Sequence, residues 1–209
     1  MTRELKGLGE TRGAQLLQKM RERENIPTST HRAAIRAQLM ERFEEMNLAV
    51  FETRIGWIGV AFSERGLAGI QLPRATRAQT LTNLQRDFPK AAVVAAAPIE
   101  IARELREYAE GTRRQFTLPL DLSAVKPFQR TVLQVADSIK YGETRTYAWI
   151  AREIGNPRAA RAVGRALATN PIPIILPCHR VLGSDGSLHG YGGGLPLKRK
   201  LLELEGALL

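Results

Sequence analysis

The sequence contains a single cysteine, Cys178, and a histidine follows it directly. A cysteine attacks other atoms only as its thiolate, and with a pKa of about 8.5 only a few per cent of a free thiol is ionised near neutral pH. A reactive cysteine therefore needs surroundings that favour the thiolate. A lone cysteine is also often a small buried apolar side chain, so the residues around Cys178 decide between these roles.

An apolar run interrupted by prolines precedes the cysteine. Pro171 and Pro173 lie at its start and Pro177 at its end. The run predicts a short buried strand that closes at Pro177, with Cys178 on the turn that follows. If that turn enters a helix, free backbone N–H groups lower the pKa of the thiol. The pattern therefore predicts a nucleophile whose pKa is lowered by its turn.

The run Asn-Pro-Ile-Pro-Ile-Ile-Leu-Pro-Cys-His-Arg-Val, residues 170–181, resembles the active-site signature of the O6-alkylguanine-DNA alkyltransferases, which repair alkylated DNA by direct reversal. Further positions agree with that family in order and spacing from about Phe128 to Gly206. Residues 48–122 fit the family's N-terminal domain loosely, and residues 1–47 match no pattern of the family. The resemblance thus concerns mainly the C-terminal part of the chain.

The resemblance implies catalytic roles for five residues. Cys178 is the nucleophile, His179 is its base acting through a water molecule, and Glu205 holds the histidine. The hydroxyl of Tyr147 donates to the leaving guanine, and Asn170 braces the turn before the active-site run. This relay has the logic of a hydrolase triad, although the attacked carbon is alkyl instead of acyl. The product is a thioether with no labile bond, so the protein acts only once.

A glycine-rich loop from Gly190 to Leu195 matches the family's substrate-pocket loop. The resemblance implies Tyr191 as an aromatic wall of the pocket, with Pro173 and Val181 as further pocket residues. Gly192 stands where family members often have serine. A backbone N–H of the loop can still donate to the leaving guanine, whereas a serine hydroxyl contact is lost.

A basic helix is predicted just before this site, from Pro157 to about Ala168. The basic and small residues of this helix that we expect to face DNA are Arg158, Ala160, Arg161, Gly164 and Arg165. Small side chains let a helix approach a duplex closely. The alkylated base is stacked inside the duplex and must be flipped out, at a cost of a few kcal/mol. The resemblance implies binding in the minor groove, with Arg161 filling the vacated stack and Tyr147 pushing on the phosphate.

The distribution of charge agrees with a polyanionic partner. The chain carries a formal charge of +10, and residues 123–209 hold 12 basic and 6 acidic side chains, a net charge of +6. A positive surface beside the candidate site favours nucleic acid. The partner implied by the resemblance is double-stranded DNA that contains O6-alkylguanine, bound by a monomer.

The fold class predicted from the elements is α/β, more closely α+β, in three parts. Residues 1–47 form a helical appendix of unknown role, and residues 48–122 form a small sheet with helices, a scaffold domain. Residues 123–209 form a mainly helical, winged-helix-like domain in which two short helices make a helix-turn-helix. A further helix, from Leu197 to Glu205, brings Glu205 to the site.

Composition excludes several other classes of protein. No run is long enough to cross a membrane, and the first residues carry no apolar signal core, so we expect a cytoplasmic protein without a membrane partner. One cysteine cannot form an internal disulfide. The three histidines, His31, His179 and His189, are too scattered to make a structural zinc set with it. We therefore predict no metal ion and no cofactor.

Three alternative functions use the same features differently. Alkyltransferase-like proteins bind alkylated DNA without the reactive cysteine, and the presence of Cys178 argues against that class. A cysteine hydrolase built on the same relay would turn over an ester, whereas a transferase stops after one equivalent. A transcription regulator would need a DNA-binding segment in residues 1–47, which hold 9 basic and 7 acidic side chains and are only weakly basic.

Overall fold

The computed structural model describes residues 45–208, so the predicted N-terminal appendix lies almost wholly outside the described residues. The N-terminal part of the described chain is a four-stranded sheet with two helices. Its elements are β1 (Asn47–Thr53), β2 (Gly56–Ser63), β3 (Gly66–Arg74), α1 (Arg77–Asp87), β4 (Ala92–Val93) and α2 (Ile99–Ala109). The strand order is β3-β2-β1-β4, with β1, β2 and β3 antiparallel and β4 parallel to β1.

The outer edge of β3 is covered by the chain that leads to the C-terminal part. The N–H of Leu67 donates to the oxygen of Pro119 at 2.9 Å, and the N–H of Ile70 donates to the oxygen of Pro171 at 2.8 Å. Gly66, at φ 124°, opens this strand in a conformation that favours glycine, and a Cβ there would overlap the Pro119 carbonyl. The sheet is therefore fastened directly to the segment that precedes Cys178.

The C-terminal part is mainly helical, as the sequence predicts. Its elements are α3 (Pro127–Asp137), β5 (Arg145–Thr146), α4 (Tyr147–Glu153), α5 (Ala160–Ala168), β6 (Val181–Leu182) and α6 (Leu195–Leu204). Helices α4 and α5 pack together as the predicted helix-turn-helix, and β5 pairs with β6 in parallel. Pro157–Ala159 forms a 3-10 turn before α5, so Arg158 precedes the regular helix. The α/β fold class is confirmed.

Residues 172–177 are buried, but the run from Pro171 to Pro177 does not form the predicted strand, so that prediction was wrong. Prolines leave the run short of backbone donors, and Ile174 adopts φ 77°, which no strand permits. The side chain of Asn170 replaces ladder hydrogen bonds. Its Oδ1 accepts from the N–H of Ile172 at 3.0 Å, and its Nδ2 donates to the oxygen of Leu176 at 2.7 Å.

One large hydrophobic core joins the two parts of the described chain. It contains strand residues such as Val60 and Leu67 together with helix residues such as Val132, Val163 and Leu201. The predicted division near residue 122 stays a prediction. Within residues 45–208, none of the helices has the length and apolar content needed to cross a membrane.

Candidate active site

Cys178 begins a one-turn 3-10 helix, Cys178–Arg180, that directly follows the irregular proline-rich segment. The residue is 7% exposed, and its Sγ accepts a hydrogen bond from Nδ2 of Asn170 at 3.2 Å. The same Asn170 amide donates to the oxygen of Leu176, so one side chain fixes both the segment and the sulfur. These hydrogen bonds lie where the sequence predicts a brace, and the catalytic role of Asn170 stays a prediction.

The pKa of Cys178 is raised, whereas the turn alone predicted a lowered value. Burial is the largest effect and raises the pKa of the thiol. The Asn170 hydrogen bond, the positive charge of Lys198 and the backbone N–H groups of Cys178 and His179 lower it by less. The predicted N–H effect is therefore present but smaller than the cost of removing an anion from water. The resting thiol keeps its proton near neutral pH and requires a base.

His179 and Glu205 form a buried pair beside the thiol. Nε2 of His179 lies 2.7 Å from Oε1 of Glu205. Burial lowers the pKa of His179, so the ring is neutral near pH 7. An ionised carboxylate can only accept, so Nε2 carries the hydrogen and Nδ1 is the basic nitrogen. That Nδ1 is buried and has no hydrogen-bond partner among residues 45–208. The pair thus presents a neutral imidazole with a free basic nitrogen.

Two residues that the sequence did not assign to the site complete the hydrogen bonding of Glu205. Arg180 donates through Nε to Oε2 at 2.7 Å and through Nη2 to Oε1 at 3.1 Å. The hydroxyl of Tyr108, on α2, donates to Oε1 at 2.7 Å and lies 3.4 Å from Nε2 of His179. Burial alone would raise the pKa of Glu205, but His179 and Arg180 together lower it to about 2. The carboxylate therefore stays ionised.

Lys198, on α6, is a third site residue that the sequence did not assign to the site. It is fully buried, and its Nζ donates to the oxygen of Val181 at 2.7 Å and lies 6.0 Å from the ring centre of Tyr147. Burial lowers its pKa to about 8, while the Cys178 thiolate favours the charged form. A signal was present, because Lys198 shares a helical stripe with Leu201 and Leu202. A charged residue on an apolar stripe is rarely buried without a partner.

The pocket is a small cavity that opens into a wide groove. The cavity has a volume of about 40 Å³, and the predicted site residues that line it beside Cys178 are Tyr147, Gly164, Asn170, Pro173, Tyr191 and Gly192. The groove has a volume of about 630 Å³ and shares Tyr147, Tyr191 and Gly192 with the cavity. Val181 lines neither space. Its side chain is buried, and its backbone oxygen accepts from Lys198.

The basic helix forms one side of the same groove. Ala160, Arg161 and Gly164 line it, and the side chain of Arg161 is exposed. Arg158 and Arg165 are also exposed, although neither lines the groove. A Cβ on Gly164 would lie 3.8 Å from the Tyr147 ring, an ordinary contact, so α5 and Tyr147 pack closely at the groove. The structure thus places one exposed arginine beside the pocket entrance.

The fold and the site define a helix-turn-helix protein that carries a buried cysteine next to a histidine–carboxylate pair. Residues 127–207 match the family model of the 6-O-methylguanine DNA methyltransferase DNA-binding domain. The chain is 40% identical over 165 residues to a methylated-DNA–protein-cysteine methyltransferase of Methanosarcina acetivorans, which covers 78% of this chain and 99% of the relative. The chain therefore belongs to the methylated-DNA–protein-cysteine methyltransferase family.

Solved structures agree with this assignment. The crystal structure of Mycobacterium tuberculosis OGT in complex with DNA aligns with a TM-score of 0.66 and 38% identity, and the match covers 77% of this chain and 93% of that one. The O6-methylguanine-DNA methyltransferase of Pyrococcus kodakaraensis strain KOD1 aligns with a TM-score of 0.56 and 28% identity, over 77% of this chain and 99% of that one. The likeness therefore includes the N-terminal sheet as well as the helix-turn-helix.

Replacing Tyr108 by phenylalanine should move the pH profile of methyl transfer. Without the Tyr108 hydroxyl, the Glu205 oxygen beside His179 becomes more basic, so the pKa of His179 rises. The acid limb of the rate should move to higher pH by up to about one unit, the value of one hydrogen bond. The shift is measured from single-turnover rates on a methylated duplex between about pH 5 and pH 8, the range in which histidine titrates.

Tyr141→Phe is the matched control for Tyr108→Phe. The Tyr141 hydroxyl donates to the backbone oxygen of Leu204 at 2.9 Å, next to Glu205 but not to its carboxylate. Loss of that hydroxyl should leave the acid limb in place. Equal displacement in both variants, or none in Tyr108→Phe, would show that Tyr108 does not act on the relay.

Replacing Lys198 by methionine should make Cys178 less reactive. The positive charge of Lys198 lowers the pKa of the thiol, so its loss raises that pKa and reduces the thiolate fraction by up to about tenfold. The rate of alkylation by iodoacetamide at neutral pH measures the effect. The difference from the unmodified sequence should shrink above a pH of about 8, where Lys198 itself loses its proton. Lys200→Met, an exposed change on α6, should leave the rate unchanged.

Proposed function

We propose that this chain repairs O6-alkylguanine in double-stranded DNA by transferring the alkyl group to its own Cys178. The observation that carries this function is the placement of the thiol. Cys178 lines a small cavity that shares Tyr147, Tyr191 and Gly192 with the groove lined by Arg161, and the next residue, His179, pairs with Glu205. That groove offers a flipped base a route to the sulfur.

Transfer is a displacement at the alkyl carbon. The thiol proton moves to Nδ1 of His179, through a water molecule, and Glu205 stabilises the imidazolium that forms. Sγ then bonds to the alkyl carbon, the bond from that carbon to O6 breaks, and its electron pair remains on the guanine. The proton held by His179 then passes to the guanine anion. The products are neutral guanine and an S-alkyl cysteine.

The leaving guanine requires hydrogen-bond donors, and the pocket offers two kinds. Burial and the nearby thiolate raise the pKa of Tyr147, so its hydroxyl keeps the proton that it donates. The loop at Gly190 to Gly192 adds backbone N–H groups at the same cavity. With glycine at 192, that position donates through its backbone alone.

DNA binding in this proposal uses helix α5. Arg161 enters the minor groove and occupies the stack that the flipped nucleotide leaves, while Arg158 and Arg165 neutralise phosphates beside it. We propose that the protein acts as a monomer in the cytoplasm. The non-catalytic alternative loses its basis because the cysteine is present with a complete histidine–carboxylate pair.

Intact mass measured after incubation with a duplex that contains O6-methylguanine tests the reaction. The protein should gain one methyl group and no more, and Cys178→Ser should gain none while retaining its affinity for the duplex, because the thiol does the chemistry and α5 does the binding. A methyl group on Cys178→Ser, or several turnovers per protein, would contradict the proposal.

Replacing Arg161 by alanine should harm repair of duplex DNA much more than repair of a single strand. A single strand has no stack to fill, so it does not need the arginine. The loss on duplex should be on the order of tenfold or more, since an unfilled stack costs a few kcal/mol. Arg86→Ala removes the same charge from an exposed position on α1 and should leave both rates near their starting values. Equal losses on both substrates in Arg161→Ala would assign the residue to the pocket instead.

A further inference from the structure

We propose that Leu72, on strand β3 of the N-terminal sheet, forms the wall of the alkyl pocket that limits the size of the transferred group. This inference rests on the proposed function, because it names the substrate range of the same site. The N-terminal sheet would then select substrates and would not serve only as a scaffold.

Leu72 reaches the reactive sulfur's cavity from outside the C-terminal part. It lines the cavity of about 40 Å³ together with Cys178, Tyr147, Pro173 and Tyr191, and it is 7% exposed. Each of the other residues that line this cavity belongs to the stretch from residue 147 to residue 192. Leu72 is therefore the one contribution of the sheet to the pocket within the described residues.

Leu72 is positioned by a backbone hydrogen bond of its strand and by packing of its side chain against the glycine-rich loop. The backbone of β3 is fastened two residues earlier, where the N–H of Ile70 donates to the oxygen of Pro171. On its other side the leucine lies against the glycine-rich loop. Its Cδ1 would be 3.8 Å from a Cβ on Gly192 and 3.2 Å from one on Gly193. The absence of side chains at these glycines lets the leucine lie directly on the loop backbone.

The glycine-rich loop is closely packed where it meets Leu72. A Cβ on Gly193 would overlap Cδ2 of Leu197 as well as approach Leu72, so two leucines crowd the loop at this glycine. An enlarged alkyl group must then displace Leu72, the loop, or both. Displacement of packed side chains is unfavourable, so large alkyl groups react more slowly than small ones.

The volume of the cavity indicates which groups fit. An apolar cavity that binds benzene measures on the order of 150 Å³, and one water-sized group needs about 10–15 Å³. The present cavity of about 40 Å³ therefore holds a methyl group or a short alkyl chain. A benzyl ring does not fit unless Leu72 moves away. The lining on this side is a hydrocarbon wall, so the limit is steric and does not depend on charge.

The test compares two duplexes that differ only in the alkyl group, O6-methylguanine and O6-benzylguanine. The rate of each transfer is followed by intact mass, and the ratio of the benzyl rate to the methyl rate cancels differences in DNA binding. We expect the wild-type protein to transfer the methyl group faster than the benzyl group. Leu72→Ala should raise the ratio by about tenfold or more, the usual value of a few methylenes in an apolar pocket.

Ile70→Ala is the matched control. Ile70 lies on the same strand with the same exposure of 7%, but it does not line the cavity. It should lose comparable stability and keep the ratio of the unmodified sequence. If Leu72→Ala folds too poorly to assay, Leu72→Val removes a single methylene and should raise the ratio in the same direction by a smaller factor.

Failure of this inference is distinguishable from failure of the proposed function. Absence of any methyl gain in the unmodified protein would refute the function itself. A normal methyl gain would leave the function intact while either of two results overturned the role of Leu72. These are a benzyl rate that already equals the methyl rate in the unmodified protein, and a ratio that Leu72→Ala and Ile70→Ala change equally.

Discussion

The buried carboxylate of Glu205 is the constraint on which the rest of the site depends. An anion removed from water costs several kcal/mol unless hydrogen bonds and an opposite charge replace the lost solvation. Here Tyr108, His179 and Arg180 supply those donors, and they come from α2 and from the 3-10 turn, while Glu205 itself follows α6. The carboxylate is satisfied only when all three elements are in place, so the relay forms together with the complete core.

This arrangement keeps the Cys178 thiol protonated and unreactive until a substrate binds. Burial raises the pKa of Cys178 and lowers that of His179, so the resting state is a protonated thiol beside a neutral imidazole. Thiolates react readily with oxidants and metals, whereas a buried thiol does not. A protein that acts only once benefits from this, because each cysteine lost to a side reaction is a whole molecule lost.

Local patterns in the sequence predicted the helices, the strands of the sheet and the Cys178 motif, because each depends on residues close together along the chain. The strand predicted before Pro177 was wrong. Periodicity shows which residues are buried, but Ile174 takes a left-handed conformation that only the surrounding packing can impose. Tyr108 carried no signal of function, since its partner Glu205 is 97 residues away. The direction of the thiol pKa was missed because the depth of burial is a property of the fold.

In this site Glu205 fixes His179 as a neutral base whose Nδ1 is free to take the thiol proton. The nitrogen-15 chemical shifts of the His179 ring, measured in the unalkylated protein near neutral pH, test this most directly, with Glu205→Gln as the comparison. Nε2 should be protonated and Nδ1 unprotonated. A doubly protonated ring, or a hydrogen on Nδ1 with a bare Nε2, would contradict this role of His179.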